Sequence, residues 1–235
     1  MTAEHEHITI ESAYPWGRSF DEYTRMFALS AEDLSARIIG CADGPASFNA
    51  ELNRRGGCAI SCDPLYQFSA GEIRRRIRET RELLVNRARQ NAHQFVWESI
   101  RSPEDLSRLR TEAMTDFLAD FPSGREAGRY LPQSLPHLDF PDRSFDLALC
   151  SHFLFLYSQT LSLDFHIASI AEMCRLAPEV RIFPLLDMRA IRSIHLTGVL
   201  QYLSQNGFEA RLEPVPYEFL RGANEMLRIE SRGVN

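Results

Sequence analysis

The sequence predicts a doubly wound α/β protein. Seven strands form a mostly parallel sheet with an antiparallel last strand, and a helical insertion follows the second strand. Three observations predict it. From residue 37 onward, short apolar runs alternate with segments of helical period. A turn crowded with small residues, GCADG (40–44), joins the first such run to the first such helix. Between 69 and 120 the alternation stops and the pattern is helical alone.

Residues 1–18 read as an irregular leader ending in PWGR, and FDEYTRMFAL (20–29) as an amphipathic helix with Phe20, Tyr23, Met26 and Phe27 on one stripe. Ser30 or Asp33 supplies a cap before the first strand, RIIGCA (37–42). PASFNAELNRRGG (45–57) is a helix with proline in its first turn and glycine at its end. CAISCD (58–63) barely alternates, as a strand covered on both faces does.

The insertion runs from Ser69 to about Asp120, with Ser102 and Asp105 as a cap signal, and FPSGREAG (121–128) closes it as a loop. The alternation then resumes. RYLPQ (129–133) and SFDLALC (144–150) are strands, 162–177 a helix, VRIFPLL (180–186) a strand and 191–208 a helix ending at Gly207. EARLEPVPYEF and EMLRIES follow as two strands with no helix between them, hence an antiparallel pair. The organisation expected is one domain over 1–235, with 1–36 as leader and helix and 69–120 as a cap.

The net charge of −6 gives no support for a surface built to hold nucleic acid. All 26 basic residues are arginine, so no lysine can serve as a Schiff-base nucleophile or general base. Cys41, Cys58, Cys62, Cys150 and Cys174 include no CxxC and no zinc-type pairing with histidine. Reduced thiols in a cytoplasmic protein are expected. The leader lacks a signal peptide's basic and apolar regions, and no run approaches a membrane span. His5 and His7 form at most an isolated pair, and no metal site is expected.

In a doubly wound sheet, ligands lie beyond the carboxyl ends of the strands. Small residues in GCADG let main-chain N–H groups meet a ligand with no Cβ in the way, and the following helix turns its positive end to the same place. Asp63 ends the second strand, where a carboxylate can accept both hydroxyls of a ribose. A nucleoside-containing cofactor follows. A dinucleotide fingerprint would need glycine where Ala42 and Pro45 stand.

LPHLDFPDRSFDLALCSHFLFLY (135–157) closely resembles the LPF-x-D-x-SFD stretch of class I S-adenosylmethionine-dependent methyltransferases, above all the branch acting on small molecules and lipids. With GCADG, Asp63 and the late strands, the resemblance covers most of 37–231 outside the insertion. It implies a Rossmann-like fold, S-adenosyl-L-methionine as cofactor, and the following roles. Gly40, Cys41, Ala42, Asp43 and Gly44 would line the methionine portion. Asp63 would bind the ribose diol, with Pro64 and Leu65 near the adenine, and Ser134 and Leu135 would meet the adenine as well. Ser151 and His152 would face the methionine end and the acceptor. The family's usual acid before the first glycine is Ile38 here, its middle glycine is Ala42, and its acid before the adenine contact is Ser134. DPLY (63–66) looks like the tetrad that methylates amide or amine nitrogens, but that tetrad belongs after the fourth strand, where this chain has CSHF.

Arg18 could pair with the methionine carboxylate, and Trp16 or Tyr23 could wall the acceptor site; alternatively PWGRSF is a hydrophobic anchor that packs the leader helix on the sheet. His152 is a candidate general base, a packed residue or a cofactor contact. The arginines of 74–89 read as a solvated helix face or, alternatively, as an RNA-binding strip. Phe95, Trp97 and Phe117 are the insertion residues expected to turn toward the site. The function expected is methyl transfer to a small or medium acceptor. RNA methylation and cofactor binding without turnover are the alternatives.

Overall fold

The computed structural model describes residues 15–231; His5, His7 and the start of the leader lie outside the described residues. After helix α1 (Phe20–Met26) come β1 (Arg37–Cys41), α2 (Phe48–Arg54) and β2 (Cys58–Cys62). Helices α3 (Ala70–Gln90) and α4 (Pro103–Glu126) then precede β3 (Tyr130–Leu131) and β4 (Leu147–Ser151). The chain continues as α5 (Leu163–Leu176), β5 (Glu179–Phe183), α6 (Leu196–Gln205), β6 (Phe208–Pro214) and β7 (Glu225–Ser231). The strands lie in the order β3-β2-β1-β4-β5-β7-β6, with β7 antiparallel to both neighbours and every other pairing parallel. The sheet is the one expected.

Alternation along β1 divides the core. Ile39 and Cys41 face α5 and α6, packing with Ile170, Met173, Val199 and Leu203. Ile38 faces the other way, onto α1 and α2, with Phe20, Met26, Phe48 and Leu52. A third cluster joins α3 and α4 to the edge of the sheet through Ile73, Phe117, Phe121, Tyr66 and Tyr130. The register sets Cys62, Cys41 and Cys150 side by side across three strands, all as free thiols in this core.

Four local readings are corrected. The helix expected from Pro45 starts at Phe48. The segment 121–128 continues α4 to Glu126 with Pro122 inside it. One lost main-chain bond is tolerated there because Phe121 is buried one turn after Phe117, and Gly124 lies against the Tyr130 ring, where a Cβ would stand 2.4 Å from Cε2. The helical pattern of 69–100 breaks at Gln90: Val96 N–H donates to Phe219 O and Arg221 N–H to Gln94 O, tying this connection to the one between β6 and β7. The helix expected from 191 starts at Leu196, because buried Asp187 accepts the N–H groups of Arg189 and Ile191 and folds the segment into a turn.

Candidate functional site

A cavity of about 650 Å³ lies over the carboxyl ends of β1, β2, β4 and β5. That volume falls in the range of small-molecule and cofactor sites, roughly 300–1,000 Å³. The turn after β1 forms one wall, and Cys62, Asp63, Pro64 and Leu65 at the end of β2 form the next. Helices α3 and α4 contribute Leu84, Arg87, Ala88, Leu106 and Arg110 from the far side. The leader adds Trp16 and Arg18, α1 adds Tyr23, and the β6–β7 connection adds Tyr217 and Phe219.

In the turn, both Ala42 (φ 60°) and Gly44 (φ 54°) are left-handed. For alanine that conformation costs about 1–2 kcal/mol. The end of β2 holds it in place. Gly44 N–H donates to Asp63 Oδ2 (2.8 Å), Leu65 N–H donates to Asp63 Oδ1 (2.8 Å), and the Tyr66 hydroxyl donates to Gly44 O (2.7 Å). The two glycines serve different ends. A Cβ on Gly40 would fall 1.8 Å from Asp43 Oδ2, so Gly40 makes room for that carboxylate. A Cβ on Gly44 would have no neighbour closer than Asp63 Oδ2 at 4.0 Å and would stand in the open cavity. The closest approach to a ligand therefore belongs to residue 44.

Asp43 is buried and turned back toward the sheet. Tyr23 donates its hydroxyl to Oδ1 (2.9 Å) and Ser61 donates to Oδ2 (2.6 Å). Burial pushes its carboxyl up to about 6, against these two bonds, and the nearby charge of Asp63 adds to the rise.

Across the cavity lies a second polar group. Arg110 of α4, 1% exposed, forks onto Glu22 of α1 (Nη2–Oε1 2.7 Å), and Tyr217 donates its hydroxyl to the same Oε1 (2.8 Å). Burial alone would raise the Glu22 carboxyl, but Arg110's charge and hydrogen bonds outweigh it and hold it at about 2. Arg18 donates Nη1 to Trp16 O (3.1 Å). The buried Nε atoms of Arg18 and Arg110 have no hydrogen-bond partner among the described residues. Arg110 is thus the guanidinium paired with Glu22, and Arg18 feels that carboxylate only through its charge.

His152, just beyond β4, has φ 53° and donates its main-chain N–H to Phe183 O (2.7 Å). Its Nδ1 meets Ser151 Oγ at 2.9 Å, and its ring packs edge-on against Phe183. Burial, then the charges of Arg18 and Arg110, push the imidazole well below its ordinary range, so it is neutral at pH 7.

The cavity brings together Arg18, Ala42, Asp43, Gly44, Asp63, Pro64, Leu65, Ser134, Leu135, Ser151 and His152. It leaves out two residues expected there: Gly40 sits beneath the Asp43 carboxylate, and Cys41 is fully buried in the core on the α5–α6 side. Of the insertion aromatics, Phe95 lines the cavity, while Trp97 packs on Phe95 and Phe219 and Phe117 packs on Tyr66 and Tyr130. Sequence reasoning missed Arg110, Glu22 and Tyr217. Arg110 had a signal, since it falls on the apolar stripe of α4 with Leu106, Ala113 and Phe117. Among the described residues, no group of three His, Cys, Asp or Glu side chains is arranged to hold a metal ion, and no helix is long and apolar enough to cross a membrane.

The strand order and the antiparallel β7 are those of the Rossmann-like fold of class I methyltransferases. Solved structures similar to the chain include the magnesium protoporphyrin IX methyltransferase of Synechocystis PCC 6803 with bound SAM, 13% identical with 91% of each chain covered and a TM-score of 0.46. Another is a TehB-like SAM-dependent methyltransferase of Corynebacterium glutamicum, 15% identical, covering 85% of this chain and 81% of that one, with a TM-score of 0.42. No family model matches the chain. The uncharacterized protein MJ0045 of Methanocaldococcus jannaschii is 32% identical over 224 residues, which span 95% of this chain and 98% of that protein. The chain belongs to the family of that protein.

Proposed function

We propose that this family member is an S-adenosylmethionine-dependent methyltransferase acting on a small acceptor enclosed beneath α3 and α4. The observation that carries the reading is the meeting, in one cavity, of the left-handed turn after β1, Asp63 at the end of β2, and Ser151 with His152 at the end of β4. The residues present fit the cofactor. Asp63 spends one lone pair per oxygen on main-chain N–H groups, and an ionised carboxylate has about four acceptor sites, so both ribose hydroxyls can be received. The space above Gly44 is a cradle that a Cβ would enter. Arg18 keeps an unpartnered, buried Nε–H suited to the methionine carboxylate. Pro64, Leu65, Ser134 and Leu135 form the wall assigned to the adenine.

When bound, S-adenosylmethionine supplies a methyl group on a sulfonium, open to in-line attack by an acceptor lone pair: the new bond forms to carbon as the carbon–sulfur bond breaks, and its electrons stay on sulfur. The protein's task is to align the acceptor and exclude water. His152 has Nδ1 engaged by Ser151, so Nε2 is the nitrogen left to meet a ligand. Burial and the charges of Arg18 and Arg110 keep the ring neutral, so it serves to position the acceptor by a hydrogen bond rather than to take its proton. Helices α3 and α4 serve as the lid.

Calorimetric titration tests the reading. S-adenosylmethionine or S-adenosylhomocysteine should bind and NAD far more weakly; heat with NAD and with neither of the others would overturn it. RNA methylation is not favoured, since arginines of α3 and its end are matched by acids, Arg75 to Glu79 and Arg89 to Glu104.

A further inference from the structure

The acceptor's half of the cavity has a distinct chemistry. Removing the walls assigned to the cofactor leaves an aromatic and aliphatic chamber, with Phe95, Phe183, Tyr217, Phe219, Leu106 and Leu220 among its lining. These groups are continuous. Phe95 stacks on Phe219 with centroids 4.7 Å apart, Tyr217 meets Phe183 edge-on at 5.7 Å, and Leu106 lies one turn before Arg110 on the same face of α4. The carboxylates lining the cavity, Asp43 and Asp63, both stand at the cofactor end.

The cavity's charged lining is lopsided: Arg18, Arg87, Arg110 and Arg189 line it against Asp43 and Asp63. Glu22, behind Arg110, is occupied by Arg110, by the Tyr217 hydroxyl and by Ser19 N–H, which donates to Oε2 at 3.1 Å. It has little left for a cationic ligand. Arg18 and Arg110 each retain a buried Nε–H with no partner among the described residues. A buried guanidinium with an unsatisfied donor is costly unless something completes it. The cofactor brings one carboxylate, and Arg18 receives it. The second donor is left for the acceptor.

We propose, resting on the methyltransferase reading, that the acceptor is a flat, largely apolar organic acid whose anionic oxygen is held on Arg110 while its ring system lies against the aromatic wall. Cationic amines are disfavoured: burial, and then the charges of Arg18 and Arg110, lower the neighbouring imidazole's proton affinity, and both would oppose an ammonium in the same way.

The test uses three probes of one shape: 2-naphthoate, 2-naphthylmethanol and 2-naphthylmethylammonium, titrated into the full-length protein saturated with S-adenosylhomocysteine. The acid should bind roughly tenfold or more tighter than the alcohol and the ammonium. In Glu22→Gln/Arg110→Met, which removes both charges together, the three should bind alike. In Glu22→Gln alone, where Arg110 loses its anion, naphthoate should bind tighter than in the wild type. Equal binding of the three probes to the wild type, preference for the ammonium, or no binding of any of them would overturn the proposal while leaving cofactor binding intact. Failure of S-adenosylhomocysteine itself to bind would overturn the methyltransferase reading, and the acceptor assignment with it.

Discussion

Substituting alanine at the two glycines of the first turn should produce opposite phenotypes. At Gly40 the added Cβ would stand 1.8 Å from Asp43 Oδ2, so the carboxylate must leave its place. It would lose the hydroxyls of Tyr23 and Ser61, bonds to a charged group worth about 1.5–3 kcal/mol each. Gly40→Ala should therefore destabilise the fold by about 3 kcal/mol or more. At Gly44 the backbone is left-handed, which costs an alanine about 1–2 kcal/mol, and no protein atom lies within contact of the new methyl. That methyl instead occupies the space assigned to the cofactor. Gly44→Ala should thus unfold only slightly earlier in urea while its affinity for S-adenosylhomocysteine falls by more than tenfold, roughly the effect of a steric block at a close main-chain approach. Urea denaturation and calorimetric titration on both variants read the pair. The double variant Gly40→Ala/Asp43→Ser should recover much of the stability lost by Gly40→Ala, because the shorter side chain vacates the contested space. A Gly40→Ala protein as stable as wild type, or a Gly44→Ala protein with unchanged affinity, would refute this division of labour.

That division was half legible in the sequence. GCADG announced a turn that something approaches closely, and strand alternation with Asp63 located it at the carboxyl edge of the sheet. Which glycine makes room for a ligand and which for a side chain depends on the path of Asp43, and that path is set by Tyr23 and Ser61, residues 20 and 18 positions away. The fold was readable because its signals are local: apolar runs, helical stripes, cap residues. Helix limits failed where a distant partner overrode them, as Asp187 does by gathering Arg189 and Ile191, and as Tyr130 does by packing against Gly124. The Arg110–Glu22 pair spans 88 positions, and only the misplaced charge on the apolar stripe of α4 hinted at it.

Three further outcomes are expected. Asp63→Ala should lower cofactor affinity by one to two orders of magnitude, roughly, as two ribose hydroxyls lose their acceptor and the turn at Gly44 loses its anchor, with the overall fold retained; unchanged affinity in calorimetry would place the ribose elsewhere. Reversing the charges at Arg75 and Arg78 should leave cofactor binding unaltered, and a salt-sensitive RNA affinity lost in that variant would instead favour an RNA substrate. The third concerns pH. Burial raises the Asp43 carboxyl from its ordinary 3.8 to about 6, so between those values the native state binds a proton that the unfolded chain has released. Stability contributed at this position is therefore full below about pH 4 and falls as pH rises toward 6. Two units correspond to about 3 kcal/mol. Asp43→Asn carries no proton to release, so the stability of the variant relative to wild type should climb by up to that amount between pH 4 and 6 and level off above it. The amide also turns a donor toward Tyr23 or Ser61, which shifts the whole curve down but cannot change its slope. Urea midpoints of both proteins at half-unit steps separate the two effects. A difference that stays flat from pH 4 to 6 would mean that Asp43 is ionised throughout, and that the hydroxyls of Tyr23 and Ser61 outweigh its burial.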